Sequence, residues 1–354
     1  MKLPCITLLA TLLLTAPAVA QLQIAPPATT PSAPAEKHKA KPPAPAMKKE
    51  AAPAPKPSAS PSPKPAATVI PAPPPDDPNV DLVYGAYQRG QYKTAFELAT
   101  ARAQAGDPKA MTMLGELYSN AMGIRRDYAK AAEWYKRAAD AGDREAMFAL
   151  AMLRISGRGG TVDKNEAVRL MASAAKLGEP KAAYNLALLY LDGQTLPQDV
   201  RRSAELLRQA ADAGLPEAQY ALATFYKEGT GVPKDPERAV RLLQAASLAD
   251  NVDAEVEYAI AMFNGTGTPK NQPAAVALLR KASRQGSAIA QNRLAWVLIN
   301  GAGTPVDKVE GFKWHLVAKT AGKGDPELDK QLSDLPAEER AKAEAAAKKW
   351  LGTK

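Results

Sequence analysis

The chain has 354 residues but only one cysteine, Cys5, and two histidines, His38 and His315, so the usual side chains for metal binding and for acid–base or nucleophilic chemistry are scarce. Hydrophobic residues make up 46% and aromatics only 6%, an alanine-dominated composition that suits close helix–helix packing better than a sheet core. The formal charge of +9 allows an acidic partner without naming one.

Residues 1–20 read as a signal peptide. Lys2 supplies a basic start, residues 6–14 are almost all apolar, and Ala18-Val19-Ala20 is an A-x-A cleavage pattern before Gln21. The apolar run falls short of the roughly 20 residues that a spanning helix needs. Export to the periplasm with a cleaved signal is therefore expected, with no transmembrane span in the mature chain. An uncleaved signal would leave the chain anchored at the membrane. Cleavage would also remove Cys5 and leave no cysteine at all.

Residues 21–78 form a linker of Pro, Ala, Lys and Ser that holds 18 of the 31 prolines. Runs such as Lys41-Pro42-Pro43-Ala44-Pro45 exclude both helix and ladder, because proline lacks the donor and fixes φ. The expectation is a disordered, polyproline-like tether. Its Lys content offers a second reading, an arm that touches anionic envelope polymers or lipid head groups.

After residue 78 the sequence becomes periodic. Ala110, Ala146, Ala182, Ala218, Ala254 and Ala290 fall 36 residues apart, and Ala138, Ala174, Ala210, Ala246, Ala282 and Ala318 form a second column. Glycines repeat in phase at Gly157, Gly193, Gly229, Gly265 and Gly301, with Ala121 in the first copy. Several columns in register over six copies identify a tandem repeat. Within a unit, Ala110, Leu114, Leu117 and Tyr118 lie on one helical face. A glycine-bearing loop follows, and a second helix starts at a column of N-cap residues: Asp127, Asp163, Asp199, Asp235, Asn271 and Asp307. Asp163 with Glu166 fits a capping box. Trp134 and Trp314 share one column with Leu170, Leu206, Leu242 and Leu278, which marks them as core residues, and His315 falls in an apolar column as a packed or capping residue.

The pattern Ala110-x3-Leu114-Gly115-x-Leu117-Tyr118, Gly123-Ile124-x2-Asp127, Ala131-x2-Trp134-Tyr135-x2-Ala138-Ala139-x2-Gly142 resembles the Sel-one-like repeat, a relative of the tetratricopeptide repeat. The resemblance implies an all-α fold, a right-handed α/α superhelical solenoid of helix-pair repeats. It covers six repeats at residues 107–322; a half unit at 79–106, more like an ordinary tetratricopeptide repeat, completes the expected solenoid of residues 79–322, and a C-terminal helical cap at 323–354 closes it. Thr195 and Asp250 stand where the pattern has glycine. A cysteine-rich secreted branch of that family, with reported penicillin-type binding, staples each helix pair with a disulfide, and this chain lacks those cysteines.

No catalytic, cofactor or metal residues are expected. Ser173-Ala174-Ala175-Lys176 matches the Ser-x-x-Lys motif of penicillin-recognising enzymes, but Ser173 occupies a variable column and the companion motifs are missing. Binding is expected on the concave face of the first helices, if the register follows the tetratricopeptide relative. The residues placed there are Phe148, Tyr184, Leu188, Tyr220, Thr224, Ile260, Asn292 and Trp296. The function this predicts is an exported, non-catalytic scaffold or adaptor for protein or peptide partners. The alternatives are a binder of peptidoglycan or other envelope polysaccharide and, last, an enzyme of penicillin-binding type. Nucleic acid is not expected as a partner of an exported chain.

Overall fold

The computed structural model describes residues 81–352, and every regular element among them is an α-helix. The expected signal peptide at residues 1–20 and the expected Pro-rich linker at residues 21–78 lie outside the described residues. A leading pair, α1 (Leu82–Gln88) and α2 (Tyr92–Gln104), is followed by α3 (Pro108–Asn120) with α4 (Tyr128–Asp140), α5 (Arg144–Ser156) with α6 (Lys164–Lys176), and α7 (Pro180–Asp192) with α8 (Val200–Asp212). Three more pairs are α9 (Pro216–Glu228) with α10 (Pro236–Leu248), α11 (Val252–Asn264) with α12 (Gln272–Arg284), and α13 (Ala288–Asn300) with α14 (Lys308–Thr320). The chain closes with α15 (Pro326–Ser333) and α16 (Ala337–Gly352). Each helix up to α14 packs on the next in sequence, most closely within its own pair, which makes the array an α/α solenoid. The half unit expected at 79–106 is a complete pair with a shortened first helix, turned tightly through Gly90 at φ 74°.

The local signals act as the repeat pattern requires. Each second helix from α4 to α14 starts at its column residue, whose side chain accepts from the N3 amide: Asp127 from Lys130 at 3.0 Å, Asp199 from Arg202 at 2.9 Å, Asn271 from Ala274 at 3.1 Å. The cap residue's own N–H closes the loop by donating to a carbonyl of the preceding helix, as in Asp127 to Tyr118 at 3.1 Å and Asp307 to Leu298 at 2.9 Å. That bond explains why the capping box at Asp163 is only half formed. Asp163 accepts from the Glu166 amide at 2.8 Å, but its own N–H is already taken by the Arg154 carbonyl. The Glu166 carboxylate turns instead to the Arg154 guanidinium, 2.7 Å away.

The core is built from small residues. All of Ala146, Ala182, Ala218, Ala254 and Ala290, and all of Ala138, Ala174, Ala210, Ala246, Ala282 and Ala318, have no exposed surface. Leucines and methionines such as Leu114, Leu150, Met171, Leu207 and Leu279 fill the space between them. Trp314 is buried as expected, but Trp134 in the same column is only half-buried. The position is half-buried in other copies as well, at Leu170, Leu242 and Leu278, and the outer part of Trp134 is covered by the Arg137 guanidinium, 4.4 Å from the ring centre.

The C-terminal helices form the expected cap. The last helix, α16, skips its neighbour and lies along α14. Trp350 meets Trp314 edge-to-face at 5.0 Å, and the Lys313 ammonium sits over both rings. His315 is fully buried, its Nε2 2.8 Å from Asp329 on α15. The Lys319 ammonium and then His315 hold the Asp329 carboxyl below the usual carboxylate range.

Two junctions show how departures from the pattern are absorbed. Asp250 replaces a closing glycine and still adopts φ 59°. Its carboxylate pairs with Lys281 at 3.1 Å, and the same ammonium lies 3.1 Å from Glu255, a carboxylate with no exposed surface. The loop glycines cannot be exchanged so easily. Gly159 has φ 74°, and an added Cβ would collide with the Tyr128 carbonyl at the start of α4.

Two outcomes follow in thermal and urea unfolding. Gly214→Ala, at φ 86° but with open space around it, costs about 1–2 kcal/mol from the left-handed backbone alone. Gly159→Ala costs clearly more, because backbone rather than a side chain blocks the methyl; equal costs would refute the stacking of loop on helix. Lys281→Met lowers the midpoint by stranding the Glu255 carboxylate, and adding Glu255→Gln restores most of the loss. A double variant no more stable than Lys281→Met would show that the pair is not what holds that junction.

Candidate partner-binding face

The eight residues singled out from the sequence all lie on first helices: Phe148 on α5, Tyr184 and Leu188 on α7, Tyr220 and Thr224 on α9, Ile260 on α11, Asn292 and Trp296 on α13. All eight are half-buried. Phe148, Tyr184 and Tyr220 rest partly on the core and leave one edge outward. Val256, the equivalent residue on α11, is only 3% exposed and drops out of the row.

Successive first helices touch along this face. The Tyr87 hydroxyl donates to Glu116 at 2.6 Å, the Lys109 ammonium reaches Glu145 at 3.3 Å, and Lys227 on α9 pairs with Glu257 on α11 at 3.0 Å. At the leading end, Val83, Tyr84, Thr112, Met113 and Glu116 help line a cleft of about 170 Å³ between α1 and α3.

The far end of the row is engaged within the chain. The Asn292 amide donates to the Lys323 carbonyl at 3.2 Å, and the Trp296 indole N–H donates to Asp325 at 3.0 Å. Asp325 is also the N-cap of α15. Both side chains therefore hold the segment that leads into the cap, and the open part of the row is Phe148, Tyr184, Leu188, Tyr220, Thr224 and Ile260. The repeat register identified the column, but not that the cap entrance lies against its last members.

The register also passed over an acidic edge. Glu217 faces Tyr184, while Glu257, Asp253 and Glu228 lie around Tyr220. Burial, with the nearby Glu217 charge, pushes the Tyr184 phenol up. Burial and then the three carboxylates push Tyr220 to about 12. Lys227 neutralises Glu257, whereas Glu217, Asp253 and Glu228 form no ion pair with any described residue. The signal was present in the sequence at the first-turn position, where Lys109, Glu145 and Lys181 alternate in sign and Glu217 and Asp253 follow as two successive acids. Its meaning depended on which side of each helix faces out.

Little else on the surface suggests chemistry. Ser173 and Lys176 are exposed on α6. No group of three or more His, Cys, Asp or Glu among the described residues is placed to hold a metal ion, and no described helix is long and apolar enough to cross a membrane.

Comparison with known proteins agrees with this architecture. No curated protein matches the chain. A Sel1 repeat protein from Oxalobacter formigenes superposes with a TM-score of 0.61 at 27% identity, over 68% of this chain and 98% of that one. A protective antigen of uropathogenic Escherichia coli with an SLR fold aligns over 76% of this chain and 67% of that one, at 23% identity and a TM-score of 0.49. The Sel1 repeat model matches six consecutive units, residues 108–143, 144–179, 180–215, 216–251, 252–287 and 288–323. The matched units span more than half of the chain, which therefore belongs to the Sel1 repeat family.

Proposed function

We propose that this protein is an exported, non-catalytic scaffold that holds a protein partner along the concave, first-helix face of its solenoid. Sel1 repeat solenoids typically serve as protein-interaction scaffolds. The observation that carries the finer reading is the row Tyr184, Leu188, Tyr220 and Ile260, half-buried and edged by the unpaired carboxylates Glu217, Asp253 and Glu228. Tyrosines fixed by packing lose little side-chain freedom on binding, and their amphipathic rings make effective anchors. An apolar row beside uncompensated negative charge favours a peptide or helix that carries Lys or Arg next to its apolar side chains. The leader-like pattern at residues 1–20 supports export, and the Pro-rich composition of residues 21–78 supports a tether role for that segment.

Crosslinking in the native cells, followed by affinity capture, identifies the partner. Tyr184→Ala with Tyr220→Ala is expected to weaken capture at least tenfold, about 1.4 kcal/mol or more, with unchanged helical circular dichroism. Glu217→Gln with Asp253→Asn is expected to slow association and to flatten its salt dependence. Unchanged affinity in the tyrosine double variant would remove this face from the function. Capture of wall fragments alone would replace protein binding with glycan binding. Fractionation with N-terminal sequencing tests export, for which a periplasmic chain beginning at Gln21 is the expected result.

A further inference from the structure

A second feature lies away from the first-helix row, at the junction of the third and fourth repeats. Tyr226 on α9 is only 5% exposed, and its hydroxyl lies between two exposed arginines. Arg208 on α8 donates to that oxygen through Nη2 at 3.2 Å, and Arg238 on α10 donates through Nη1 at 3.4 Å. The two hydrogen bonds occupy the acceptor side of the phenol. Its own O–H donates to no acceptor among the described residues.

The charges are also incomplete. Arg238 reaches the Asp235 carboxylate through Nε at 3.0 Å, while Arg208 forms no ion pair with any described carboxylate. Two guanidinium groups thus share one carboxylate and a neutral oxygen. Their hydrogen bonds and charges pull the phenol below its usual value, against the effect of burial.

The third copy repeats the tyrosine–arginine pair as Tyr190 and Arg202 but has Ala172 in the place of Arg208, and the remaining copies lack the pair. At the positions of Tyr226 and Arg238, the second copy closes on itself as the Arg154–Glu166 ion pair at 2.7 Å. The fifth copy has Met262 and Ala274 there, both apolar. In the first copy Lys130 lies over the Tyr118 ring and Phe96 of α2 packs on it edge-to-face, with Thr100 in the place of Arg208.

We propose that Arg208, Arg238 and the Tyr226 hydroxyl form a site for a single oxyanion, a carboxylate or a phosphate group presented by a ligand or partner. The guanidinium fork matches the paired oxygens of either group. The phenol proton supplies the third donor, and the anion is the acceptor it lacks. The site is independent of the first-helix row, so its failure would leave the scaffold reading untouched.

The test is titration of the full-length protein, labelled with 13C-arginine, with sodium phosphate or sodium acetate against sodium chloride at matched ionic strength. The readout is the Arg238 Cζ resonance. A saturable shift with phosphate or acetate, absent with chloride, is expected. Arg208→Gln should weaken it at least tenfold and Tyr226→Phe should weaken it to a lesser degree. Arg201→Gln, an exposed arginine on the same helix, should leave it unchanged. Saturation at lower phosphate than acetate assigns the site to a phosphorylated ligand, and the reverse order assigns it to a carboxylate. A shift that grows linearly with salt, or one that Arg208→Gln does not alter, would overturn the proposal.

Discussion

The close approach of helix to helix through columns of alanine is the interaction on which the rest of this structure depends. The positions Ala146, Ala182 and Ala218, and Ala174, Ala210 and Ala246, hold nothing larger than a methyl group, and none of these residues has exposed surface. Where a column partner grows, the facing residue shrinks. Tyr135 replaces the methionine or leucine of the next four copies, and Gly115 opposite it takes the place of alanine, because a Cβ there would meet the ring at 2.5 Å. A Cβ at Gly311 would likewise meet the Ile299 side chain, at 2.7 Å. Close-packed interiors leave little slack for added volume, so a change on one side of such a crossing must be matched on the other.

That spacing sets the relation between one repeat and the next. With the helices held close, each loop reaches the first turn of the preceding second helix. Glycine is then required for two separate reasons, the positive φ and the lack of room for a methyl, and both apply at Gly159 and Gly231. Only the first applies at the closing turns, which is why Asp250 can occupy one of them. Its carboxylate there joins Glu255 in pairing with Lys281 across the junction. At Thr195 the third copy has lost the loop glycine, and the backbone stays out of the left-handed region instead.

The same regularity makes the functional surfaces visible. A solenoid built from one unit should present the same surface at each step, so positions that depart from their columns without filling a gap in packing carry information. The acidic edge on α9 and α11, the arginines around Tyr226 and the tie between Trp296 and Asp325 are departures of this kind. The last of them serves the fold, because it fixes the entrance to a cap that also covers Trp314 with Trp350. A terminal repeat without such a cover would leave an apolar face in water.

The sequence by itself determined the period, the helix starts and the small-residue columns. Those are local or strictly repeating signals: an Asp or Asn at the second-helix N-cap of each of the six repeats, glycine at nearly every positive φ, alanine every 36 residues. Tertiary structure decided everything that depends on which neighbour a side chain meets. It left Trp134 half-covered while burying Trp314, diverted Glu166 from its cap to Arg154, and turned Asn292 and Trp296 from a binding row to the cap. It also brought Arg208 and Arg238 to one phenol from helices two positions apart in the chain. Column position fixes the side of the helix on which a residue lies, but the partner on that side belongs to another repeat or to the cap, and no period in the sequence specifies it.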